Sequence, residues 1–131
     1  MAERPLSPHL FDGMRIHYKW GPHMLVSILH RMTGQGLSFV GVPVLLWWLG
    51  AMVAGPDAYA DFVDIADSPL GWVVLVGLSW AFFAHLCSGL RHFVLDVGAN
   101  YELDSNKRGS IVSMVAGILL TAGFWAAVVL L

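Results

Sequence analysis

Charged residues leave three long apolar stretches in this chain, from Met32 to Pro56, from Ser68 to Leu90 and from Gly109 to Leu131. Each exceeds the roughly 20 residues that an α-helix needs to cross a hydrocarbon core about 30 Å thick. The pattern predicts an all-α integral membrane fold with three transmembrane helices, at 30–54, 69–95 and 110–131. Residues 1–29 form an N-terminal arm and the interfacial start of the first helix, and 55–68 and 96–109 are the connecting loops. Pro5, Pro8 and Pro22 mark an irregular arm along the membrane surface or a partner, with Tyr18 and Trp20 suited to the interface. Pro43 lies inside the first span and is expected to kink it. The linker from Gly55 reads as a short surface turn or helix, and Ser68-Pro69 as the start of the second span.

Each span carries one polar or small face. At about 100° per residue, His85, Gly89, His92 and Asp96 (i, i+4, i+7, i+11) fall within roughly 60° of one another, in the stretch W-A-F-F-A-H-L-C-S-G-L-R-H-F-V-L-D that runs from Trp80 to Asp96. The glycine in this stripe leaves a flat place beside the imidazole, where a planar cofactor could lie. In the first span, Ser27, Arg31, Gly34, Ser38 and Gly41 recur at i, i+4, i+7, i+11 and i+14. Two such faces need each other or a shared guest. In the third span Ser113, Gly117 and Thr121 form a small-xxx-small row that permits close helix contact.

Composition sharpens this picture. The 131 residues are 57% hydrophobic and only 12% charged, against about a quarter charged in soluble domains. Of the seven basic residues, Arg4, Arg15, Lys19 and Arg31 precede the first span, and Arg91, Lys107 and Arg108 separate the second from the third. The loop between the first and second spans holds Asp57, Asp61, Asp64 and Asp67 and no basic residue. The positive-inside rule therefore puts the N-terminus and the second loop in the cytoplasm, and the first loop and the C-terminus on the opposite side. No short apolar core with a small-residue cleavage site opens the chain, so no secretory signal peptide is expected. The lone Cys87 excludes an internal disulfide and reads as a small core residue. Seven scattered basic residues do not make a nucleic-acid surface, and no glycine-rich phosphate loop is present.

An ionisable residue inside a span is costly to bury and marks a functional site by default. His85 could hydrogen-bond across the bundle to a backbone carbonyl, or ligate haem iron through one ring nitrogen while the other is oriented by an acceptor. His92, on the same face about 10 Å further along the helix, cannot reach the other side of one macrocycle. A second axial histidine must come from another helix or another subunit. Arg31 and Arg91 could snorkel to headgroups. Arg31, however, has Ser27 and His30 beside it, and a hydroxyl and a guanidinium one turn apart can both donate to a quinone carbonyl and favour the oxygen that gains charge on reduction. Arg31 and His30 could equally pair with haem propionates.

Three blocks carry a resemblance to a known family. They are R-P-L-S-P-H-L from Arg4 to Leu10, S-I-L-H-R-M-T-G from Ser27 to Gly34, and His85-x3-Gly89-x-Arg91-His92-x3-Asp96. The chain resembles, over its whole length, the cytochrome b large membrane-anchor subunit of succinate dehydrogenase (succinate:quinone oxidoreductase, respiratory complex II). Residues 11–18 depart from the family's usual H-L-x-I-Y continuation.

The resemblance implies an anchor, not catalytic alone, packed with helices of a second, small anchor subunit. It implies haem b shared with that subunit, His85 as an axial ligand of the haem iron, His30 and Arg31 at the propionates, and Ser27 and Arg31 at ubiquinone. His92 and Asp96 match the motif without a separate role. It also implies a flavoprotein subunit and an iron–sulfur subunit as partners, and the inner (cytoplasmic) membrane of a bacterium in preference to that of a mitochondrion. The alternatives are a fumarate reductase anchor and a haem-free membrane scaffold.

Overall fold

The computed structural model describes residues 11–12, 15–16, 21–99 and 102–131. The motif from Arg4 to Leu10 and the interface residues Tyr18 and Trp20 lie outside the described residues. Within the arm, Phe11–Asp12 (β1) pairs antiparallel with Arg15–Ile16 (β2).

Three long helical runs dominate, each apolar enough to cross a membrane. The first comprises α1 (Pro22–Gly36), a π-helical turn (Leu37–Gly41) and α2 (Val42–Ala54), 33 residues without a break. The π-turn answers Pro43, which has no N–H to give and whose ring crowds the carbonyl one turn back. The helix widens just ahead of it, and the Val42 N–H reaches back five residues to the Leu37 carbonyl. The expected disturbance therefore lies on the N-terminal side of the proline. Gly55, at φ +118°, turns the chain into α3 (Pro56–Ala66), so the linker is largely helical.

The second run, α4 (Pro69–Asp96), starts at the expected Ser-Pro step. Pro69 occupies its first turn, and the Ser68 hydroxyl oxygen accepts the Gly71 N–H at 3.1 Å. Gly71 is required there, since a Cβ would stand 2.3 Å from the Ile65 carbonyl oxygen. The third run, α5 (Leu103–Leu130), begins inside the segment expected as a solvated loop, with Asp104, Lys107 and Arg108 in its opening turns. Arg91 Nη2 donates to Asn106 Oδ1, tying the end of α4 to the start of α5.

α1, α4 and α5 pack so that each touches the other two, most extensively α4 with α5. What fills the space between these helices is mostly small and polar. Thr33, Ser88, Ser110, Ser113 and Thr121 are buried, while Leu46, Val53, Phe93 and Val129 face outward. This inversion of a soluble core suits helices in lipid, where apolar side chains gain little by leaving the acyl chains and close backbone approach decides packing. Each buried hydroxyl is satisfied on its own helix, as in Ser88 to the Ala84 carbonyl, Ser110 to that of Asn106 and Thr121 to that of Gly117, all at 2.8 Å. At Gly117 α5 comes close against α4, because a Cβ there would lie 3.0 Å from Ala84 Cα and 3.2 Å from Ala84 N.

Gly117→Ala is therefore expected to destabilise the detergent-solubilised protein by about 1–3 kcal/mol, the usual cost of overpacking. Gly123→Ala, where an added Cβ meets nothing within 4 Å, is expected to be neutral or mildly stabilising. Thermal unfolding of the two variants checks this.

Candidate functional site

The site is built where α1 and α4 cross-link. His30 Nδ1 lies 2.7 Å from Ser88 Oγ, and His85 Nδ1 lies 3.2 Å from Thr33 Oγ1 and 3.1 Å from the His30 carbonyl oxygen. As the number rises on one helix it falls on the other, so the two helices run antiparallel. The rings of His30 and His85 stack face to face, 4.0 Å between centroids and 8° from parallel.

The hydroxyls decide where the ring protons sit. Thr33 Oγ1 donates to the Leu29 carbonyl at 2.8 Å, and Ser88 Oγ donates to the Ala84 carbonyl. With its single proton committed, each hydroxyl can only accept from the imidazole. The arrangement that satisfies every group puts a proton on Nδ1 of both histidines and leaves both Nε2 atoms with a lone pair. Among the described residues nothing hydrogen-bonds either Nε2.

Both halves of this clasp come from one short pattern. His30-Arg-Met-Thr33-Gly34 and His85-Leu-Cys-Ser88-Gly89 each read H-x-x-[ST]-G. Histidine and hydroxyl at i and i+3 share a helix face, and antiparallel packing pairs each histidine with the other helix's hydroxyl. The glycines give each ring room against the opposing backbone. A Cβ at Gly34 would stand 2.8 Å from His85 Cε1, and one at Gly89 would stand 3.7 Å from His30 Cε1. Gly89, expected to open a flat place beside His85, therefore lies under His30, because α1 presents that ring to it; the glycine facing His85 is Gly34. Sequence reasoning singled out His30 and His85 but gave Thr33 and Ser88 no role, although the shared five-residue pattern was the available signal.

The structure brings His30 and His85 together and sets His92 beside His30, with ring centroids 5.1 Å apart. It does not bring Ser27 or Arg31 into that cluster. Ser27 is half-buried and Arg31 exposed on the outside of α1, and among the described residues neither makes a hydrogen bond or ion pair with the histidines. Asp96 is exposed at the end of α4, and Cys87 is half-buried. Among the described residues no group of three or more His, Cys, Asp or Glu could hold a bare metal ion. An iron that arrives already held by a macrocycle asks for less, one axial imidazole per face. His85 could meet that demand, since its Nδ1 is held by α1 and its Nε2 has no hydrogen-bond partner among the described residues.

The family model described as succinate dehydrogenase/fumarate reductase transmembrane subunit matches residues 2–125. The succinate dehydrogenase cytochrome b556 subunit of Paracoccus denitrificans is 36% identical over 121 residues, covering 92% of this chain and 88% of that protein. The subunit of the same name from Rickettsia felis is 36% identical over 123 residues, covering 94% and 91%. The mitochondrial succinate dehydrogenase cytochrome b560 subunit of Sus scrofa is 27% identical over 130 residues, covering 95% and 72%.

The two glycines of the clasp should respond differently to a methyl group. Gly34→Ala, which drives a Cβ into the His85 ring, is expected to lower the thermal midpoint of the detergent-solubilised protein. Gly89→Ala, at an ordinary contact distance, should be neutral or gain up to about 1 kcal/mol from the helix preference of alanine.

Proposed function

The chain belongs to the family of succinate dehydrogenase/fumarate reductase transmembrane subunits, and on that premise we propose that it is the cytochrome b anchor that holds haem b jointly with a small anchor subunit and helps form the site of ubiquinone reduction. The observation that carries this reading is His85, an imidazole inside a membrane-spanning helix whose Nδ1 is held by α1 and whose Nε2 has no partner among the described residues.

Haem b, when bound, supplies a one-electron carrier within the membrane. His85 would hold its iron through Nε2; His30, whose ring lies flat against that of His85 at 4.0 Å, would not, and a second histidine would come from the small anchor. With a proton on Nε2 as well as on Nδ1, His30 would donate to a propionate while keeping Ser88, and Arg31, exposed on the outside of α1, would add a fixed positive charge nearby.

Ser27 and Arg31, one turn apart, donate to a carbonyl oxygen of ubiquinone. The guanidinium favours the oxygen that gains charge as two electrons and two protons convert the quinone to the quinol. The exposure of Arg31 suits a site completed by neighbouring subunits. Those partners are the small anchor, the iron–sulfur subunit that delivers electrons and the flavoprotein that oxidises succinate. The complex sits in the inner membrane of a bacterium, with the N-terminal arm and the α4–α5 connection on the cytoplasmic side.

In the assembled complex, His85→Ala is expected to abolish the bis-histidine spectrum of reduced haem; an unchanged spectrum overturns the ligand assignment, and a wild-type complex with no Soret band marks a haem-free scaffold. Arg31→Ala is expected to lower quinone reduction by about 10²-fold, the scale for losing one preorganised donor, and Ser27→Ala by less. Both should leave succinate oxidation by an artificial acceptor intact. Parallel loss of the two activities would assign these residues to assembly.

A further inference from the structure

We propose that Thr33 is a positioning residue for the haem, and that α1 sets the electron-donor strength of the His85 ligand through the Thr33 hydroxyl and the His30 carbonyl. This rests on the reading of His85 as the axial ligand. Nδ1–H of His85 stands 3.2 Å from Thr33 Oγ1 and 3.1 Å from the His30 carbonyl oxygen. Thr33 is 4% exposed, too buried for water to replace its oxygen readily. Its own proton is held by the Leu29 carbonyl at 2.8 Å, with the His30 carbonyl a second acceptor at 3.1 Å. The oxygen is thus fixed with its lone pairs toward α4.

An Nδ1–H that donates to two oxygens takes on part of the character of the imidazolate, which makes Nε2 the stronger donor and favours ferric over ferrous iron. The same pair of contacts fixes the tautomer, because a proton moved to Nε2 would leave Nδ1 facing a carbonyl oxygen with nothing to donate. Gly34 belongs to the device. The ring reaches these acceptors only because no Cβ stands at that position.

The test is the midpoint potential and the low-spin ferric spectrum of the haem in the assembled complex, for Thr33→Val and Thr33→Ser. Thr33→Val should keep two histidine ligands and raise the potential, shifting the ferric-to-ferrous ratio at fixed potential on the order of tenfold, about 59 mV for a one-electron couple. Thr33→Ser, which keeps the oxygen, should restore the wild-type value. A valine variant with two histidine ligands and an unshifted potential overturns the proposal while leaving His85 as ligand. Should Thr33→Val load no haem, Thr33→Ala replaces it, with the same upward shift expected. Loss of haem from both, with recovery in Thr33→Ser, also supports the role of the oxygen, and failure of Thr33→Ser to recover haem or potential overturns it. Retention of haem with two histidine ligands in His85→Ala removes the underlying reading instead, whatever Thr33 does.

Discussion

A ring N–H inside a membrane helix has no water to donate to, and an unpaired polar group in hydrocarbon costs several kcal/mol. That constraint governs this molecule. His30 and His85 meet it by donating across the helix pair, each to a hydroxyl on the other helix that is itself held to its own backbone. The pairing fixes the register of α1 on α4, since a slip of one residue would leave two imidazoles without acceptors. Stacking of the rings then places both histidines in one layer.

Packing follows from that register. Gly34 and Gly89 let the rings lie against opposing backbone, and Gly117 brings α5 against Ala84, one residue from His85. The helix that carries His85 is thereby held from two sides, while Nε2 of His85 has no partner among the described residues. The interior holds hydroxyls and glycines where a soluble protein would place leucines. The large apolar side chains are left outside, on the faces turned to lipid or to neighbouring subunits. Beyond the clasp, α2 and α4 flank an open apolar groove of about 620 Å³ lined by Trp48, Phe62 and Phe82 among others.

Much of this was legible in the sequence. The three helices followed from gaps between charges, because hydrocarbon thickness sets a minimum length that few other structures demand. His85 stood out because ionisable groups in such helices are rare, and its two readings, a bond to a carbonyl and a free ligand nitrogen, prove compatible, since an imidazole has two nitrogens. The small row of α5 was legible because burying Ser113, Gly117 and Thr121 requires only one helix's periodicity. The cross-pairing was not, because it depends on the register between helices 55 residues apart in sequence, which periodicity within one helix does not carry. For the same reason the sequence does not show that the His30 ring comes to lie near Gly89. The early start of α5 escaped because charges end a membrane segment but not a helix, and Asp104 near an N-terminus favours the helix it opens.

In the proposed cytochrome, α1 grips His85 by Nδ1 so that Nε2 is the atom presented to haem iron. A high-resolution structure of the assembled complex with haem bound should show iron on Nε2 of His85, with Nδ1 still within hydrogen-bond reach of Thr33 Oγ1 and the His30 carbonyl oxygen. Iron bound by His30 or His92, or a His85 ring turned away from α1, would overturn this arrangement.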